Sequence, residues 1–327
     1  MNPSSLTAPT QLTGCPASGE IGELAEAKRC LQAMDFAQAE RLLRRLIERD
    51  PQARHAYELL GKLLYRDSRC DEAAAVYRQW LAALPADPVA THLVAATGRE
   101  RVVPTPQRAS DTFVADVFDR AAPEFDTALA SLGYQAPGLL SERVQKIPRP
   151  TGVQWNALDL GCGTGLCGLL LRPLVTRLVG VDLSQAMLAR AQARGCYDQL
   201  FRAEISSFMC NHGGQFDLIT AADVLCYFGA LESVLSAAYE CLRPGGWMIF
   251  SVEESAGVGE TGEAGRTADN AGFALLEHGR YAHTAAYIES ALSLAGFRET
   301  AFSRNMLRFE RGAPVDGLIV SASRPLR

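Results

Sequence analysis

Between about residue 20 and residue 98 the apolar positions fall into successive helical segments, and beyond that the chain changes character. The second and fourth of these segments end at prolines, Pro51 and Pro85, which lie 34 residues apart. That spacing is the period of the tetratricopeptide repeat, a helix pair that buries one face only by stacking on its neighbours. The second repeat follows the pattern well: Tyr57, Leu60 and Gly61 lie on its first helix, Ala73 and Tyr77 on its second, and Pro85 closes it. The first is looser, keeping Ala27, Ala39, Leu43 and Pro51 but carrying Glu23 where an aromatic residue opens the pattern. Ala39 and Ala73 mark places where two helices must approach closely. With a further helix around Pro88 to Ala96, the module at 20–98 is near the minimum of about three units for a stable stack. It is expected to lean on the next domain or on a partner, and to serve docking.

Residues 1–19 are rich in Ser, Thr, Pro and Gly without periodicity and read as a disordered leader. Residues 99–110, with Pro104 and Pro106, read as a linker. A helical cap follows over 111–150, interrupted at Pro123, Gly133, Pro137 and Gly138. From 151 to 327 strand-like runs alternate with helical ones. The strand candidates are Ala157 to Leu160, Leu178 to Asp182, Leu200 to Glu204, Phe216 to Ala221 and Trp247 to Val252. Such alternation predicts an α/β doubly wound domain, a mostly parallel sheet covered on both faces. The end differs: Arg298 to Phe309 and Gly317 to Ser323, joined by a turn at Gly312 to Asp316, predict a final antiparallel pair.

Composition narrows the function classes. In 327 residues, 48% are hydrophobic and 21% charged, ordinary for globular domains. A net charge of -5 gives no chain-wide attraction to nucleic acid or anionic lipid. Arg41, Arg45 and Arg49 share a helix face, which reads as solvated surface rather than a phosphate site. The nine cysteines include no C-x-x-C pair and no histidine spacing that suggests zinc, so they read as free thiols in a reducing compartment, with the cytoplasm as default and no metal expected. No apolar run approaches the roughly 18 residues that cross a bilayer.

The chemistry is concentrated after the first strand. Asp159-Leu160-Gly161-Cys162-Gly163-Thr164-Gly165 leaves that strand and opens a helix, with glycines where the backbone must turn sharply and admit a ligand. The second strand ends in Gly180-Val181-Asp182, placing a carboxylate 21 residues beyond Gly161, where a nucleotide ribose presents its hydroxyls. Gly163 to Gly168 also satisfies G-x-G-x-x-G, a weak signal for a dinucleotide. Charge separates the two ligands. Asp159 would face an anionic pyrophosphate badly but suits the amino group and sulfonium of S-adenosylmethionine.

On these residues the sequence resembles the class I S-adenosylmethionine-dependent methyltransferases over about 111–327, and more narrowly resembles predicted bacterial methyltransferases that carry tetratricopeptide repeats. The narrower likeness rests on Phe118-Asp119, Phe125-Asp126, Leu132-Gly133-Tyr134 and Pro137, and on Gly279-Arg280-Tyr281-Ala282-His283. The resemblance implies a seven-stranded sheet with a C-terminal antiparallel strand. It also implies that the Gly161–Gly165 loop, with Cys162, Gly163 and Thr164, holds the methionine part. Asp182 would grip the ribose, Glu204 would meet the adenine amino group, and Leu183 and Ile205 would flank the ring. Tyr134, Asp159, Met187 and Ala222 complete the implied cofactor set. Phe216-Asp217-Leu218-Ile219 followed by Ala222-Asp223-Val224-Leu225 looks like the fourth-strand motif beside the transferable methyl, and Arg243-Pro244-Gly245-Gly246 like the turn into strand five.

Each residue also has a plainer reading: Asp182 as a helix cap, Glu204 as a solvent-facing strand end, Asp223 and Tyr227 as packing residues, His283 as a hydrogen-bonded structural residue. Asp223, Tyr227 and His283 are the catalytic candidates, with Glu253 and Glu254 beside them. The Asn/Asp-Pro-Pro-Tyr/Phe signature of amide and base-nitrogen methylation is absent, Ala222 to Leu225 standing in its place, which favours a small-molecule acceptor. The Glu253 to Gly272 segment reads as a lid or as an inert loop. Three functions stay open: a small-molecule methyltransferase assembled through its repeats, a protein methyltransferase whose substrate docks on them, and a non-catalytic assembly or sensor protein.

Overall fold

The computed structural model describes residues 18–98, 105–148, 155–255 and 272–326. Most of the expected leader, part of the linker and most of the candidate lid lie outside them, while Ser18 and Gly19, expected in the leader, open the first helix. The chain divides into two compact units between Pro85 and Ala86. Among the described residues no helix is long and apolar enough to cross a membrane.

The first unit is two helical hairpins, α1 (Ser18–Gln32) with α2 (Phe36–Arg49) and α3 (Arg54–Arg66) with α4 (Cys70–Ala83). Asp35 caps α2 by accepting the Gln38 N–H at 3.1 Å. One stripe of α2, Leu42, Leu43, Leu46 and Ile47, is buried, each such side chain contributing roughly 1.5–3 kcal/mol by leaving water. Ala39 and Ala73 are fully buried, and Tyr57 stacks on Trp80 with ring centroids 6.3 Å apart. The opening aromatic missing from the first repeat is replaced by an ion pair, Glu23 to Arg49 at 3.0 Å. Arg49 and Arg41, which donates to Gln38, are thus engaged with polar neighbours of their own unit.

The second unit begins with α5 (Pro88–Thr97), capped by Asp87. The sequence pattern groups this helix with the repeats. In the structure Ala95 and Ala96 pack on Leu275 and Tyr281, and His92 bonds the Gly279 carbonyl at 2.8 Å, all within the second unit. Three cap helices follow: α6 (Asp111–Ala121), α7 (Phe125–Ser131) and α8 (Ala136–Gln145).

The sheet comprises β1 (Asn156–Leu160), β2 (Arg177–Asp182), β3 (Gln199–Arg202), β4 (Phe216–Ala221), β5 (Leu242–Glu254), β6 (Phe273–Leu275), β7 (Tyr281–His283), β8 (Arg298–Glu310) and β9 (Ala313–Ser323). Its order is β3-β2-β1-β4-β5-β7-β6, with β9 between β5 and β8. Strands β1 to β5 are parallel, and β9 runs antiparallel to β5 and β8. Helices α9 (Leu166–Leu171), α10 (Gln185–Arg194), α11 (Ile205–Cys210), α12 (Glu232–Cys241) and α13 (Ala285–Ala295) cross over between strands. The near-continuous apolar strands, such as Leu158, Leu160, Val179, Val181, Ile219 and Phe250, are buried between helix layers, as a parallel sheet requires.

Among the described residues the sheet has nine strands where seven are implied by the resemblance. The addition is the β6–β7 hairpin, whose three-residue strands are too short to show alternation. Strand β7 pairs with Glu253 and Glu254 of β5, beyond the point where β4 ends at Ala221 opposite Phe250. The expected fifth strand, Trp247 to Val252, therefore extends to Glu254. Arg243 to Gly246 lies inside β5, at a register shift between Leu242 and Trp247.

Candidate functional site

The loops after β1, β2, β3 and β4 open at the carboxyl edge of the sheet, under the cap helices, and enclose a cavity of about 310 Å³. Two Phe-Asp pairs tie the cap down. Asp119 accepts the Ser184 hydroxyl at 2.5 Å and the Ala186 N–H at 3.1 Å; Asp126 accepts the Thr164 hydroxyl at 2.6 Å and pairs with Arg194. The adjacent Phe118 and Phe125 line the cavity, their rings edge to face at 5.8 Å.

At one end is the glycine loop. Gly161, Gly163 and Gly165 all adopt positive φ, which glycine tolerates without cost. This geometry aims the Gly163 N–H at Asp182 Oδ2, 2.8 Å away, while Ser184 N–H donates to Oδ1 at 2.8 Å. Burial pushes the Asp182 carboxyl up, and these two N–H donors pull it back without cancelling the rise. Asp159 is deeper, 1% exposed, accepting Tyr197 Oη at 2.7 Å and Thr220 Oγ1 at 2.9 Å. Burial dominates there and raises its pKa to about 6. Gly168 is needed for this arrangement, since a Cβ would lie 2.4 Å from the Tyr197 ring that reaches Asp159. The third glycine of the G-x-G-x-x-G pattern thus makes room for a tyrosine.

Glu204 is the N-cap of α11, accepting Ser206 and Ser207 N–H at 3.0 and 2.8 Å, and it pairs with Arg108 at 3.0 Å. Burial opposes its ionisation, but the two N–H donors outweigh that and hold it below the usual carboxylate range. Glu204 is thus a helix cap rather than a solvent-facing strand end, and it also lines the cavity. So do Tyr134, Asp159, Gly161, Cys162, Gly163, Thr164, Asp182, Leu183, Ile205 and Ala222. Gly165 and Met187 do not: Gly165 is the N-cap of α9, and Met187 is fully buried core on α10.

At the other end the catalytic candidates separate. Asp223 and Tyr227 line the cavity; His283 does not. Its Nε2 meets the Gly229 carbonyl at 3.0 Å and its ring stacks on Tyr287 at 6.0 Å. Burial lowers its pKa to about 4, so it is a neutral structural residue of β7. Glu254 is also outside the lining, paired with exposed Arg304. Asp223 sits at φ 52°, a left-handed conformation that Asp adopts more readily than most residues. Its carboxylate accepts the Ser251 hydroxyl at 2.8 Å and Arg308 Nη1 at 2.9 Å.

Arg308 opens a network that the sequence pattern does not reveal. It is 3% exposed and also pairs with Glu253, which in turn accepts Arg280 Nε at 2.6 Å and His278 Nε2 at 3.1 Å. Arg280 additionally pairs with Glu310. Burial opposes ionisation of Glu253, yet Arg280, His278 and Arg308 together hold it well below the usual range. Arg280, Arg308 and Glu310 reach the cavity; Glu253 stands behind them. The signals available were faint: Arg280 sits in the quoted Gly279 to His283 stretch, and Arg308 is a charge flanked by Leu307 and Phe309 on a strand.

Comparison with known proteins adds a family. Residues 107–301, more than half of the chain, match a methyltransferase domain, and residues 24–88 match a tetratricopeptide repeat. The biotin biosynthesis bifunctional protein of Saccharophagus degradans is 32% identical over 143 residues, 42% of this chain and 24% of that protein. A ubiquinone biosynthesis O-methyltransferase of Aromatoleum aromaticum is 29% identical over 114 residues, 33% of this chain and 49% of that protein. The chain thus spans half or less of the length of these two curated relatives. Among solved structures, a phosphoethanolamine N-methyltransferase of Haemonchus contortus bound to phosphomonomethylethanolamine and S-adenosylhomocysteine superposes with a TM-score of 0.51 at 16% identity, covering 67% of this chain and 61% of that one. At that identity the likeness is one of fold.

Proposed function

Because the chain belongs to the methyltransferase domain family matched over 107–301, we propose that it transfers a methyl group from S-adenosylmethionine to an oxygen of a small molecule held beneath the cap. The observation that carries this reading is the pair Asp159 and Asp182, two buried carboxylates on the cavity wall whose hydrogen-bond partners are neutral hydroxyls and N–H groups. Among the described residues no cation pairs with either, which leaves the ammonium and sulfonium of the donor to supply it. Asp182 can exchange the Gly163 N–H for ribose hydroxyls, and Glu204 lies at the entry to α11 beside Ile205, where the adenine ring would rest.

Methyl transfer is in-line displacement at a carbon already activated by positive sulfur. Holding nucleophile and methyl together supplies about 7–11 kcal/mol of barrier lowering, so the protein mainly positions. The cap helices contribute apolar lining to the cavity: Val117, Phe118, Phe125, Leu129 and Leu132. A small, largely apolar acceptor fits it, and oxygen as the accepting atom accords with the O-methyltransferase named among the relatives. A cytoplasmic location accords with this reading, since the buried Cys162, Cys167, Cys196, Cys226 and Cys241 form no disulfide.

The tetratricopeptide match favours a second reading, in which a protein docked on the repeats is the acceptor. Incubating the full chain with methyl-labelled donor and fractionated extract separates the two. Label in the low-molecular-mass fraction supports the first, label in protein supports the second, and donor binding without label transfer to either indicates a non-catalytic role.

A further inference from the structure

Two guanidiniums reach the acceptor end of the cavity, opposite the glycine loop, and they differ in what they have left to give. A guanidinium carries five N–H donors on its three nitrogens. Each nitrogen of Arg308 faces a carboxylate: Nη1 that of Asp223 at 2.9 Å, Nη2 that of Glu253, and Nε that of Glu310 at 3.7 Å. Arg280 gives Nε to Glu253 at 2.6 Å and Nη2 to Glu310, and its Nη1 has no partner among the described residues. Its side chain is 19% exposed and lines the cavity.

Arg280 is also held in place. It leaves a turn in which Gly279, at φ 91°, reverses the chain. Gly279 N–H donates to the Leu276 carbonyl and Leu276 N–H to the Arg280 carbonyl, both at 2.8 Å. His92 of α5 braces the turn through the Gly279 carbonyl at 2.8 Å, and its own ring stacks on Phe113 of α6 at 4.0 Å. Burial opposes ionisation of Glu253 and Glu310, but neighbours led by Arg280 outweigh it and hold both below the usual carboxylate range. Both therefore stay ionised and share the Arg280 charge. What Arg280 has left for a ligand is N–H donors rather than unshared charge. A second donor stands near it. Tyr227 lines the cavity with its ring edge to face with Phe118 at 5.5 Å, and its hydroxyl likewise has no partner among the described residues. Burial keeps that hydroxyl protonated, with Arg280 close enough to pull the other way.

Resting on the reading that the cavity holds S-adenosylmethionine and a small-molecule acceptor, we propose that Arg280 and Tyr227 are the polar anchor of the acceptor. Their free N–H and O–H donors take an uncharged oxygen of that molecule, a carbonyl or a hydroxyl, while the apolar cap lining beside Tyr227 receives its carbon frame. A ligand that displaces water from such donors without replacing its hydrogen bonds loses affinity, which disfavours a pure hydrocarbon. A carboxylate would gain the same hydrogen bonds but would approach Glu253 and Glu310 through the guanidinium they share, and like charges oppose it.

Three probes of one shape separate these demands: benzylacetone offers a carbonyl, hydrocinnamate a carboxylate, and isopentylbenzene neither. Each is titrated into the full chain saturated with S-adenosylhomocysteine, and binding is read by ligand-observed NMR. Benzylacetone should bind roughly tenfold tighter than either of the others. Arg280→Met should abolish that preference. Should this variant fail to fold because Glu253 and Glu310 lose a cation, Tyr227→Phe serves: it removes a hydroxyl without a partner and should cut the preference roughly threefold. The proposal is overturned if hydrocinnamate or isopentylbenzene binds as tightly as benzylacetone, if no probe binds, or if the preference survives the substitutions, in each case with S-adenosylhomocysteine still bound. Failure of S-adenosylhomocysteine to bind the wild type overturns the donor reading, and this proposal with it.

Discussion

The two ends of the cavity bury carboxylates in different ways. At the donor end Asp159 and Asp182 are held by hydroxyls and backbone N–H groups, with no cation paired to them among the described residues. At the acceptor end Asp223, Glu253 and Glu310 are laced to Arg280 and Arg308. Neutral donors stabilise a buried anion only in part, as the rise of Asp159 to about 6 shows. Guanidiniums do more, as the well-depressed Glu253 shows. The contrast teaches where a ligand's charge belongs: the donor end awaits a cation, while the acceptor end brings its own.

The largest effect should come from breaking the laced end. Arg308→Met strands Asp223 and Glu253 without their shared cation and is expected to cost about 3–5 kcal/mol of stability, measured by denaturant unfolding. A cost below about 1 kcal/mol would mean that the network is solvated and the contrast false.

Asp159 probes the other end through pH. Its pKa is raised from 3.8 to about 6, so the folded chain binds that proton more tightly than the unfolded one. The contribution to stability is present below about pH 4 and is lost as pH rises through 6. Asp159→Asn should therefore gain on the wild type by up to about 3 kcal/mol between about pH 4 and 7 in ligand-free unfolding. The wild type should gain S-adenosylmethionine affinity over this range as Asp159 ionises, and the same substitution should remove that gain. Asp182→Ala deletes the ribose-facing acceptor and should weaken donor binding roughly a hundredfold by calorimetry, about 2.7 kcal/mol. The smallest effect is expected at His283, outside both ends. His283→Phe keeps a ring against Phe273 and Tyr287, loses the bond to Gly229, and should cost about 1 kcal/mol of stability with donor affinity unchanged within about twofold.

The same contrast explains what could be read from the sequence. The donor end is built from short contiguous stretches, Asp159 to Thr164 and Asp182 to Leu183, because a strand, a tight turn and a helix start impose glycines and a terminal carboxylate locally. Met187 failed to reach the cavity because the Ser184 cap turns that helix so that Met187 faces the core. The acceptor end is assembled from residues 223, 253, 278, 280, 308 and 310, brought together by pairings of β5 with β7 and of β8 with β9. Those registers are tertiary facts, and β7 itself is three residues long. His283 looked chemical for its residue type, but it faces Gly229 inside the unit. The repeat module was legible from its period, whereas α5 was not assignable by pattern: its helix signal is the same whichever neighbour buries it.

Direct titration of the full chain tests whether the donor end receives a sulfonium nucleoside. Calorimetry with S-adenosylmethionine should show one site per chain, with affinity reduced roughly a hundredfold in Asp182→Ala and unchanged within about twofold in His283→Phe. Absence of heat with S-adenosylmethionine and S-adenosylhomocysteine alike, or tighter binding of NADH than of either, would contradict it.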